Sequence, residues 1–142
     1  MVDVSVSQNI DAPPAVVAGV LFDPLKDPEW IGGAKTSEIV TAQLPYGVGY
    51  RVRRTGGFLG RQFSWVTEIT EYAPQRRTRM TYVAGPFKGG VDYSIDPKGS
   101  GSLVTVRNYG QASFSFPFMG AMMRRSVAAD LRRLKQLVET RA

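Results

Sequence analysis

The sequence predicts an α+β domain in which a curved antiparallel sheet wraps around a long C-terminal helix, with two short helices after the first strand. Three observations predict it. Apolar residues alternate along seven segments, the connections among the last six are short, and from Pro117 the period of two gives way to a helical one. At 142 residues, 43% hydrophobic and 21% charged, the chain 1–142 reads as one domain long enough to bury a core.

The elements follow in order. Val2, Val4 and Val6 alternate with Asp3, Ser5 and Ser7, as in a strand with one buried face. Asp11 before Pro13-Pro14 predicts a capped helix through Val16, Val17, Val20 and Leu21 that stops before Asp23-Pro24. A short second helix is expected at Pro28-Glu29-Trp30-Ile31, ending at Gly32-Gly33. Six strands are then predicted near 35–43, 48–55, 61–72, 76–83, 89–96 and 102–112.

Short separators make these strands an antiparallel meander. Parity puts Phe63, Trp65, Thr67 and Ile69 on one face of the longest strand, and Gln62, Ser64, Glu68 and Thr70 on the other. The same test selects Tyr50, Val52, Met80, Tyr82, Val91, Tyr93, Ile95, Val104, Val106 and Asn108 as inward, and Asp92 as outward. Met119, Met123, Val127, Leu131, Leu134 and Val138 then form the apolar stripe of the last helix, opposite Arg125, Arg132, Arg133 and Gln136.

Composition excludes several chemistries. With no Cys there is no thiolate nucleophile, disulfide or cysteine metal site, and with no His the commonest general base and metal ligand are missing. Neither a metal nor another cofactor is expected, and any catalysis would rest on Tyr, Asn, Arg, Lys, Asp or Glu. No two carboxylates have a spacing that argues for paired acid/base work. The start lacks the basic and apolar blocks of a signal peptide, and no apolar run reaches the ~18 residues of a membrane span, so a cytoplasmic location is expected.

The net charge is +6, and thirteen of the eighteen basic residues are Arg. Such a balance suits anionic partners or plain solubility. Nucleic acid is not an expected partner, because Arg76, Arg77 and Arg79 lie on a strand flank and no recognised binding motif is present.

Two glycine-flanked segments, 56–60 and 84–90, read as loops that display Phe58, Leu59 and Phe87. Loops are ordinarily polar, so apolar tips point to an apolar partner or to side chains folded back over the core. In a meander these two loops share an end with Trp30–Gly33 and with 113–118. Lys35, Arg53, Arg54, Arg61, Lys88, Arg124 and Arg125 gather at the same end. An apolar tip ringed by cations suits transient contact with an anionic membrane, or a gate for an amphipathic acid, the membrane or mouth contacts being Phe58, Leu59, Arg54, Arg61, Lys88 and Arg124.

The opening strand with Ile10-Asp11-Ala12-Pro13-Pro14, Asp23-Pro24 with Pro28-Glu29-Trp30, the run from Trp65 to Arg77, and Leu131–Lys135 together resemble the START-like, or SRPBCC, superfamily. The nearest branch is that of polyketide cyclase/dehydrase-like proteins, and the likeness spans the chain. The resemblance implies the helix-grip fold and a cavity between sheet and last helix. Its mouth would lie at the end that holds Phe58 and Phe87.

Taken alone, the inward residues favour a filled core over a pocket; the resemblance reverses that preference. Its expected lining is Tyr50, Val52, Phe63, Trp65, Met80, Tyr82, Val91, Tyr93, Val106 and Asn108 from the sheet, and Met119, Met123 and Val127 from the helix. Trp30, Phe58, Phe87, Phe114 and Phe118 are expected to shape the mouth, while Tyr50, Trp65, Tyr82, Tyr93 and Asn108 orient the polar part of a ligand. Asp130 is expected either to pair with Arg133 on its own helix or to act on that ligand. The expected function is binding or transport of a hydrophobic or amphipathic small molecule, lipid or polyketide-like. The alternative is a cyclase or dehydratase working through Tyr, Asn or Arg.

Overall fold

The computed structural model describes residues 2–58, 60–112 and 117–141, with the side chains of 58, 112 and 141 not described. Strand β1 (Val2–Ile10) is followed by α1 (Pro14–Leu21), a 3-10 turn (Pro24–Lys26) and α2 (Asp27–Trp30). Strands β2 (Ala34–Ile39), β3 (Arg51–Phe58), β4 (Arg61–Ala73), β5 (Arg77–Ala84), β6 (Phe87–Lys98) and β7 (Gly101–Ala112) come next, and α3 (Met119–Arg141) closes the chain. All neighbours in the sheet are antiparallel, in the order β1-β7-β6-β5-β4-β3-β2. This is the predicted meander, with β1 returning to pair with β7.

Local chemistry sets the boundaries. Pro13, with extended ψ of 157°, is the residue before α1, and its carbonyl accepts from Val16 and Val17. Asp11 lies too early to cap; its N–H instead donates to Glu139 at 2.9 Å. Asp23 caps the 3-10 turn by accepting from the Leu25 N–H at 3.1 Å.

The core fills from one end. Ile10, Leu21, Ile95, Leu131, Leu134 and Val138 are all 2% exposed or less, and each such side chain contributes about 1.5–3 kcal/mol by burial. The same helical stripe loosens toward its N-terminus, where Met123 and Met119 are only half-buried. Phe22, Tyr46, Tyr50 and Tyr72 seal the filled end as an aromatic cluster with centroids 5.0–6.3 Å apart. Tyr72 reaches this cluster because β4 carries an extra residue between the pairs Ile69↔Met80 and Glu71↔Arg79, which reverses facing beyond it.

The other end is shaped by glycine. Gly89 (φ +108°) and Gly110 (φ +129°) face each other across β6 and β7, and a Cβ on Gly110 would stand 1.8 Å from the Lys88 carbonyl oxygen. Only glycine fits such an approach. Gly56 meets Gly33 as closely, with 1.6 Å left for a Cβ. The segments expected as loops are therefore largely strand: Gly56, Gly57 and Phe58 pair with β4, and Phe87 begins β6. Pairing of β5 with β6 stops at Thr81↔Gly90, so the two strands splay beyond it.

The outer face is ion-paired. Asp92 accepts from both Arg77 (2.8 and 3.0 Å) and Arg79 (3.0 and 3.3 Å), while Arg76 pairs with Asp96. The arginines of β5 are thus neutralised by their neighbours. Burial works to raise the Asp92 pKa, but the bonds from Arg77 and Arg79 outweigh it and hold the carboxyl below its ordinary value. A depressed folded pKa gives stability that is full above the unfolded value, near ~3.9, and lost as pH falls through the folded one. Asp92→Asn should therefore cost about 1–2 kcal/mol in urea unfolding at neutral pH, with the difference from wild type narrowing in acid.

Candidate functional site

The site grows out of the splay between β5 and β6. Freed from a β5 partner, the start of β6 lets the Phe87 ring drop inward against Tyr82 (5.4 Å between centroids), Trp65 (5.8 Å) and Phe63 (6.3 Å). Beneath α3 this leaves two adjoining chambers of about 150 and 160 Å³, which share Trp65, Phe87, Asn108 and Val127 as wall. Each is about the volume known to hold one benzene-sized ring, and together they approach the lower end of the ~300–1,000 Å³ range of ligand sites.

The chambers differ in chemistry. The outer one is walled by Phe63, Met119 and Met123, with Gly33 and Gly57 bringing backbone close. The inner one is bounded by Arg54, Thr67, Tyr82, Tyr93 and Asp130 as well as by Trp30, Ile31, Val91 and Val106. The Tyr82 hydroxyl donates to the Asn108 side-chain oxygen at 3.5 Å. Burial pushes the Tyr82 phenol up to about 12 and that of Tyr93 well above its ordinary value, so both stay protonated donors at neutral pH.

The floor of the inner chamber is a buried ion pair. Arg54 Nε donates to Asp27 Oδ2 at 2.5 Å and Nη1 donates to the Thr67 hydroxyl at 2.7 Å. Arg54 is 5% exposed and Asp27 1%. Burial opposes the Arg54 charge, but the adjacent carboxylate outweighs it and holds the guanidinium pKa above its ordinary value. For Asp27, burial pushes the carboxyl up against the pull of Arg54. Arginine has a very high intrinsic pKa, so the pair is ionic. Arg54 was expected on the rim with the other cations. Its parity with Tyr50 and Val52 turns it inward instead, where it needs a buried acid.

Asp130 sits at the chamber wall from α3. It accepts from the Gly32 N–H at 3.0 Å and from Arg133, so it does pair along its helix while facing the void. Burial raises its pKa, against the bonds from Gly32 and Arg133.

Twelve of the residues expected to bind ligand meet at the chambers: Trp30, Phe63, Trp65, Tyr82, Phe87, Val91, Tyr93, Val106, Asn108, Met119, Met123 and Val127. Trp30 lines the inner chamber from depth rather than the mouth; it is 2% exposed, packs on Tyr93 at 5.9 Å, and its buried indole N–H finds no acceptor among the described residues. Tyr50, Val52 and Met80 face inward but lie in the filled core beneath the ion pair, outside both chambers. Phe118 is 81% exposed and stands outside the chambers. Arg61, Lys88 and Arg124 are exposed, Arg124 donating to the Ser5 carbonyl. Leu59 and Phe114 lie outside the described residues, as does the side chain of Phe58. Sequence reasoning missed Asp27 and Ile31; the inward parity of Arg54 was the one signal that an acid must lie opposite.

A curled sheet gripping one long helix over a void is the geometry of the helix-grip proteins. The profile of the family described as "Polyketide cyclase / dehydrase and lipid transport" matches residues 1–139. The chain belongs to this family. Solved structures of the same fold include a START superfamily protein from Mycobacterium smegmatis (19% identity, TM-score 0.78, covering 99% of both chains). A protein from Thermus thermophilus is similar over 99% of both chains (22%, 0.77). The Zhui aromatase/cyclase of Streptomyces sp. R1128 is similar over 98% of this chain and 94% of its own (19%, 0.74). At these identities the likeness establishes the fold and leaves the activity to the site. No protein of curated function matches by sequence. Among the described residues of this family member, no helix is long and apolar enough to cross a membrane.

Proposed function

We propose that the chain binds an amphipathic small molecule, lipid or polyketide-like, across the two chambers. The observation that carries this reading is their joined but opposite chemistry. The outer chamber offers Phe63, Met119 and Met123 to an apolar portion, and methionine adapts to varied shapes. The inner chamber offers donors to a polar head: the Tyr82 and Tyr93 hydroxyls and the Arg54 guanidinium. Because Arg54 is already neutralised by Asp27, the head best suited to this chamber is a neutral oxygen acceptor.

Native mass spectrometry of gently purified protein, repeated after incubation with a panel of lipids and aromatic polyketide-like compounds, tests the reading. A one-to-one complex with a member of either class is expected. Failure of the whole panel to bind would count against an open pocket.

A second reading, cyclisation or dehydration of a polyketide-like substrate, is favoured by one observation: a carboxyl of raised pKa, Asp130, at the wall of the inner chamber. The tyrosines, held protonated, are not bases. Under this reading Asp130→Asn abolishes turnover while the complex still forms in the mass spectrum. Unchanged turnover in that variant would remove Asp130 from the chemistry.

A further inference from the structure

The acids of this chain are distributed unevenly. Residues 30–37, 54–67, 82–91 and 108–129 contain not one Asp or Glu. In the fold the described residues of these stretches come together, because the β3–β4 and β5–β6 hairpins and the start of α3 share one end of the sheet. Lys88 lines a shallow recess with Met119 and Met123, and Gly57 and Phe63 of the β3–β4 hairpin flank the same two methionines. The nearest acids are engaged: Asp3, opposite Tyr109, is held by both arms of Arg107, Asp27 is buried against Arg54, and Glu29 has a partner of its own.

The cations of this end are exposed. Lys35, Arg61, Lys88 and Arg125 stand at the surface, and among the described residues none has an ion-pair partner. At the same end stands Phe118, 81% exposed and held at φ +64° immediately before α3. A left-handed phenylalanine is unfavourable, and a fully displayed ring gains nothing from burial in return. Met122, one turn on and 38% exposed, extends the apolar patch along the outer face of the helix, and Arg125 follows.

We propose that this end docks on an anionic phospholipid bilayer, with Phe118 and Met122 entering the interface and Lys88, Arg61 and Arg125 resting on the headgroups. An anionic surface attracts such a one-sign patch, and an apolar tip among cations gives the two signals that interfacial binding uses. Nucleic acid would also meet the charge. Among the described residues, however, the exposed apolar surface continues from Phe118 to Met122 rather than into an aromatic stacking platform, which favours lipid. The docking surface does not depend on what the chambers hold.

The test is co-sedimentation of the full chain with vesicles of phosphatidylcholine alone and of phosphatidylcholine mixed with phosphatidylglycerol. Binding is expected to the mixed vesicles, to fall with added salt, and to weaken about fivefold for each of Lys88→Ser and Arg125→Ser. Phe118→Asn is the decisive variant, because asparagine tolerates a positive φ, so its melting temperature should hold or rise while vesicle binding drops about tenfold. Equal binding to both vesicles, or no binding to either, overturns the proposal. So does mixed-vesicle binding that survives Phe118→Asn at full strength. Capture of a single-stranded oligonucleotide without capture of vesicles would likewise replace lipid by nucleic acid.

Discussion

Replacing Asp27 by Ala is expected to destabilise the protein by about 3–5 kcal/mol, more than the loss of most core side chains, because it leaves Arg54 charged and alone in the interior. Among the described residues its remaining side-chain bond is to the Thr67 hydroxyl at 2.7 Å. Water entering the inner chamber would soften the loss without cancelling it. The double variant Asp27→Ala with Arg54→Met removes both charges and should recover most of the stability, since well-packed apolar pairs often match a buried ion pair. Chemical unfolding of the wild type, both single variants and the double variant closes the cycle. An Asp27→Ala protein as stable as wild type would mean that the pair is far better hydrated than its 1% and 5% exposures imply.

Val127→Phe should abolish ligand binding, or weaken it at least tenfold, while leaving stability unchanged or higher. Val127 is 7% exposed and borders both chambers, so a ring grown from it enters a void of ring size rather than a packed core. Overpacking a filled site would instead cost about 1–3 kcal/mol, so the sign of the stability change reports whether the space is open. Calorimetric titration with any ligand found by mass spectrometry, alongside thermal unfolding, measures both. Full affinity in the variant would place the ligand elsewhere.

Most of the fold could be read along the chain because its signals are local. Alternation marked each strand, Pro13-Pro14 and Asp23-Pro24 bracketed the first helix, and the change of period after Pro117 marked the last. The site was legible in facing but not in depth. Parity turned Tyr50, Met80, Tyr82 and Tyr93 inward alike, yet only the last two reach a chamber, because the ion pair of Asp27 and Arg54 divides the interior between them. That division is a contact between α2 and β3, across 27 positions, and no periodicity announces it. The glycines of 56–60 and 84–90 were read as loops for a related reason. At Gly56 and Gly89 the residue type answers to backbone pressing from a neighbouring segment, which a one-dimensional reading cannot weigh.

Those glycines also constrain where this protein can change. A methyl group at Gly56 or Gly110 would overlap backbone oxygen at 1.6–1.8 Å, so neither position can accept a side chain without displacing neighbouring backbone. Inheritance can therefore retune what the cavity admits mainly through the helix, at Met119, Met123 and Val127, where no strand pairing is at stake. A mutant library intended to alter selectivity should randomise those three helix positions and leave the strands as they are.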